Sequence, residues 1–187
     1  MHPAQHRSLR ELYAFTRQLR SHWSSLGPRI GGVEGDLLAE GGGAAGELLD
    51  ALPPVTAARG VKVAAAAAAA GRAARARPPA DDRLLERNQA FRFAMGDITH
   101  VVTLLGFLAK LAETDEDDEL RRFCASWERK LRDVERRARA AAVDMGATPD
   151  TAIDPAVPGI AGRAGQGISY GIGTVGELVD KVTGRTP

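Results

Sequence analysis

The sequence is poor in the residues from which most recognisable sites are built. A single cysteine, Cys124, excludes an intrachain disulfide framework and fits a reducing compartment. Of the four histidines, His2, His6 and His22 fall at or on the first predicted helix, which leaves no spaced His/Cys/acid set for a metal. Aromatic residues make up only 5% of the chain. Alanine and glycine stand in their place, so helices can approach closely but each buries little area, and the expected core is thin and finely packed. Neither sign of charge dominates: 25 basic residues against 24 acidic leave +1, which points to no particular partner. Met1 to Arg10 carry His2, His6, Arg7 and Arg10 without an apolar run, an argument against a secretory signal and for a cytoplasmic protein. No nucleotide loop or activated nucleophile stands out. No cofactor is therefore expected, and a binding protein is expected ahead of an enzyme.

What the sequence does contain is heptad spacing. Leu120, Cys124, Trp127, Leu131, Val134, Ala138, Ala141 and Met145 alternate at intervals of four and three, with charges filling most gaps. Leu84, Asn88, Phe91, Met95, Ile98, Val102, Leu105, Ala109 and Ala112 keep the same alternation. Each set forms one stripe of a helix that must be buried against another helix. The acidic run from Glu113 to Glu119 separates them, so two long arms are expected to form an antiparallel hairpin.

Upstream, Ser8 and Glu11 read as a capping box opening a first helix through Leu9, Leu12, Thr16, Leu19, Trp23 and Leu26, with Gly27-Pro28 as its stop. Val33 to Leu52 is helical in spacing, but Gly41-Gly42-Gly43 predicts two short helices or a kinked one, stopped by Pro53-Pro54. An alanine-rich helix is expected over Val55–Arg77, and the next helix over about Asp82–Glu113. The latter is nearly apolar all round beyond Ile98, which predicts the central member of the bundle. Its window Ala94–Ala112 has the length of a bilayer span, yet it holds Asp97, His100 and Lys110, so a core helix is expected and a membrane partner is not. The second helix carries net −4 and the stretch Arg59–Arg77 carries +5, an asymmetry able to steer association.

Three features are candidates for function. Asp97 and His100 lie three apart and could point to one side of a helix. With Thr99 and Thr103 they are expected to hydrogen-bond within the bundle or face a groove, and Asp97, His100 and Thr103 are the candidate lining if the chain has a pocket for a small ligand or acid–base chemistry. Arg129, Arg132, Arg136 and Arg139 would make a basic face, although interleaved acids suggest ordinary pairing and make nucleic acid a secondary partner. Cys124 falls on a seam and is expected to be structural. Beyond Gly146, prolines and glycines predict a linker over 147–173, and Val175, Leu178, Val179 and Val182 predict a short docking helix over 174–184.

Thr174-Val175-Gly176-Glu177-Leu178 resembles the C-terminal targeting peptides of encapsulin cargo proteins, over five residues and again after a linker. An acid stands where a small polar residue is usual, and no basic pair follows directly. The resemblance implies a cargo recruited to a larger assembly. The residues themselves favour an all-α antiparallel bundle of four to five helices over 5–146. Such a chain would be a non-enzymatic adaptor, scaffold or regulatory subunit that binds a protein partner or a second copy of itself. A ligand-binding bundle and a membrane-active effector are the alternatives.

Overall fold

The computed structural model describes residues 2–62 and 85–156. Four long helices dominate: α1 (Pro3–Ile30), α2 (Gly32–Ala57), α3 (Arg87–Thr114) and α4 (Asp118–Asp144), followed by a 3-10 turn (Met145–Ala147) and a four-residue helix, α5 (Pro149–Ala152). The expected all-α bundle is the observed fold. Its helices close a ring in which α1 packs on α2 and α3, and α4 packs on α3 and α2.

Cross-helix pairs fix the directions. His2 meets Asp115 and His22 meets Asp97, so α1 and α3 are antiparallel. Glu40 pairs with Arg137 and Glu47 with Lys130, seven residues on in α2 and seven back in α4. With Arg59 on Asp117, these pairs lock α2 and α4 in one antiparallel register. Lys62 and Leu85 therefore lie at opposite ends of the bundle. Three of the five acids of α2 are spent on cross-helix pairs, Glu40 and Glu47 with α4 and Glu34 with Arg87 of α3.

The heptad stripes meet in the core. Phe91, Ile98, Val102 and Leu105 of α3 and Leu120, Cys124, Leu131 and Val134 of α4 are all buried, as are Leu9, Leu12, Leu19, Trp23 and Leu26 of α1. Asn88, Ala109, Trp127 and Ala141 of the same stripes are only partly buried, and Trp127 is the largest of them. It lies beside Phe123, with Lys130 Nζ 5.0 Å from the centre of its ring.

Several expected boundaries move. The first helix opens at Pro3, with His2 Nδ1 accepting from Ala4 N, while Ser8 is buried inside it. It also runs through Gly27-Pro28 to Ile30. Gly31 and Gly32 make the turn instead, at φ 63° and 62°, a region glycine enters without steric cost. The triple glycine does not break α2, because it is where α2 meets α1: a β-carbon on Gly42 would lie 2.7 Å from Ser24 Oγ. Nor does Pro53-Pro54 stop α2, which continues to Ala57 and buries Val55 and Thr56. Those prolines forfeit two helical N–H donors, but Thr56 Oγ1 donates locally to the Leu52 carbonyl at 3.0 Å.

Of the expected Val55–Arg77 helix, Val55–Ala57 belongs to α2 and residues 63–77 lie outside the described residues. The next helix begins at Arg87, with Glu86 as its cap and the Gln89 side chain accepting from Glu86 N. The first ten residues of the linker expected over 147–173 are folded. Residues 147–156 fold onto the start of α3, where Arg87 N donates to the Asp154 carbonyl at 2.7 Å and Ala156 N to Leu85 at 3.0 Å. Residues 157–187, including the expected docking helix 174–184, lie outside the described residues.

Candidate interaction surface

In a ring of four helices each member keeps an outer face, so α3 is not the enclosed central member its apolar composition suggests. It is the one described helix long and apolar enough to cross a membrane. One side of it is core. The other faces outward along Phe93, Gly96, His100, Thr103, Phe107 and Lys110, all exposed except the half-buried His100. Their spacing of three, four, three, four and three is a second heptad seam on the same helix. Phe93 is 62% exposed and Phe107 50% exposed. A β-carbon on Gly96 would meet nothing within 4 Å. The seam is thus aromatic at two places and has a hole at a third, over about 25 Å of helix.

Two polar pairs border it on the α1 side. Asp97 accepts from Gln18 Nε2 at 2.8 Å and lies 2.5 Å from His22 Nδ1. His100 Nε2 lies 3.2 Å from Glu11 Oε1, and its ring sits 4.0 Å from that of Phe15. The Asp97, His100 and Thr103 side chains do not converge: two are committed to separate partners on α1, and Thr103 faces solvent. What they do chemically is hold α3 against α1 in register.

The four arginines proposed as a basic face are all exposed on α4. Arg132 pairs with Glu128, Arg136 with Asp133 and Arg139 with Glu135, which leaves Arg129 without an ion pair among the described residues. The face is therefore largely neutralised along its own helix. A groove of about 550 Å³ lies between α2 and α4 over Gly43, Ala44 and Val134, with Glu40, Glu47, Lys130 and Arg137 along its edges. Those four already pair across it. Cys124 is fully buried, and burial pushes its thiol up to about 12. Among the described residues, no three His, Cys, Asp or Glu side chains gather closely enough to hold a metal ion.

Phe107 was counted among the residues that make this helix apolar all round, and so was expected inside the bundle; Phe93 was not singled out. The structure puts both on the outer side of α3. Compared with known proteins, the chain matches no family model, no curated protein and no solved structure.

Proposed function

We propose that the chain is a non-enzymatic helical interaction protein, an adaptor or scaffold, that docks a helical partner on the outer seam of α3. The observation that carries this is the placement of Phe93 and Phe107. Two large aromatic side chains stand half or more exposed on one stripe, in a chain where such residues are scarce. An isolated exposed apolar residue needs no explanation, but an aligned pair with small residues between them forms a helix-sized surface. The acid–base groups near the seam support the same reading, since Asp97 and His100 are spent on contacts with α1.

The test is photo-crosslinking in the cells that make the protein, with benzoyl-phenylalanine in place of Phe93 and, as control, in place of Phe123. Position 93 should yield a discrete protein adduct that position 123 does not. If neither yields one, the seam is not a docking surface and the reading falls. An adduct with any protein, this chain included, supports it.

A further inference from the structure

The outer seam of α3 has a second property: reversed, it complements itself. Take the six positions in order as Phe93, Gly96, His100, Thr103, Phe107 and Lys110. Laid antiparallel against a copy, with the midpoint between His100 and Thr103 on a two-fold axis, the six residues pair in three layers. Phe107 lies over Gly96 of the copy, where a side chain has open space. His100 faces the smaller Thr103, and Phe93 faces Lys110, whose 75% exposed side chain pairs with Glu113 on its own helix and lays its aliphatic stem against the ring. All three layers then repeat through the axis.

We infer that a second copy of this chain is the occupant of the α3 seam, in an isologous antiparallel pairing of α3 with α3. The inference rests on the interaction reading above and names its partner. Three general points support it. Three-four spacing is the spacing that keeps one stripe facing a partner helix crossing at about 20°. Large residues set against small ones let layers interdigitate. A two-fold pairing uses one patch twice, so six seam positions supply two copies of every contact.

The test is analytical ultracentrifugation of the full chain and of two variants, Gly96→Glu and Phe107→Lys. The wild type is expected at twice the mass of one chain. Each variant alone is expected to be monomeric, with the dissociation constant weakened by at least about tenfold. Mixed in equal amounts, the two should dimerise again, because one layer then opposes glutamate and lysine while the other keeps Phe107 over Gly96. Gly96→Glu leaves the single chain folded, since its side chain enters open space, and far-UV dichroism should show the same helix content as the wild type.

A wild type that stays monomeric overturns the inference, whether or not removal of residues 157–187 then releases a dimer. A dimer indifferent to Gly96→Glu, or variants that do not recover on mixing, also overturns it. A monomer that still gives a Phe93 crosslink to a different protein would sink the self-pairing and leave the interaction reading standing.

Discussion

Trp23 fills the space that Gly41 leaves empty. A β-carbon built on Gly41 would lie 2.3 Å from the indole Cζ3, and the same indole donates its Nε1–H to the Ala94 carbonyl at 2.9 Å. One side chain thus ties α1 to α2 by close approach and to α3 by a hydrogen bond.

Gly41→Ala should therefore destabilise the fold although alanine is the better helix former. The methyl group has to displace a rigid ring held at both faces, a cost of roughly 1–3 kcal/mol that outweighs the ~1 kcal/mol of propensity gained. Two positions on, Gly43 has nothing within 4 Å of its would-be β-carbon. Gly43→Ala should stabilise by about 1 kcal/mol. Urea denaturation of both variants checks the pair, and equal effects of the same sign would refute the packing account of the triple glycine.

The Arg59–Asp117 pair predicts how stability responds to acid. Asp117 caps α4 by accepting from Leu120 N at 3.0 Å, and Arg59 donates to both of its carboxylate oxygens at 2.7 Å. The Arg59 hydrogen bond, against an opposing effect of burial, holds the Asp117 carboxyl below its ordinary range. A carboxyl whose pKa is lower in the folded state adds stability above its unfolded value, about 3.9, and loses that contribution as pH falls through the folded value. Asp117→Asn should cost roughly 1–3 kcal/mol near pH 7, and the gap from wild type should close as pH drops below about 4. Paired unfolding curves across that range measure it. A gap that persists in acid would mean the cap geometry matters and the ion pair does not.

How much of this was legible beforehand differs by position. The stripes of α3 and α4 were, because a repeat of four and three on a helix has only one way to be buried. Trp23 and Leu19 were for the same reason. The ends of the helices were not. Pro28 and Pro53 lie inside helices whose last turns bury Ile30, Val55 and Thr56, so packing overrides a local stop signal. The glycines of α2 looked like a break because propensity records what glycine costs, while the benefit depends on Trp23 and Ser24, some 18 residues away in the sequence. Asp97 and His100 could be read from the sequence as bonded within the bundle or as lining a pocket, because a shared helix side does not say what they face. Their partners Gln18, His22 and Glu11 sit on another helix, and only the register of α1 against α3 brings them there.

Two buried polar groups in α1 have no hydrogen-bond partner among the described residues: the Thr16 hydroxyl and the whole side-chain amide of Gln5. Both residues are fully buried. A polar group removed from water without a partner costs about 1–3 kcal/mol, and an apolar replacement of like shape removes that cost. Thr16→Val and Gln5→Met should each raise the unfolding free energy by roughly 1 kcal/mol. Thermal melts decide the matter. A lowered melting temperature for Gln5→Met would show that an internal water satisfies the amide.

Cys124 offers a clock for the opening of the core. It lies between Leu120 and Leu131 on the buried side of α4, and burial raises its thiol to about 12, with the nearby Asp117 charge adding to the shift and Arg59 opposing it. The reactive species is the thiolate, so at neutral pH the folded chain presents almost none of it and no path to it. A disulfide reagent such as dithionitrobenzoate should leave the native protein unmodified over hours, yet react at once in denaturant. At intermediate urea the labelling rate should track the fraction of unfolded molecules. Asp117→Asn should speed it and Gly43→Ala should slow it, in proportion to their changes in stability. Rapid labelling of the native chain would instead place Cys124 at a locally mobile seam, and the α3–α4 pairing would then be looser than its buried leucines imply.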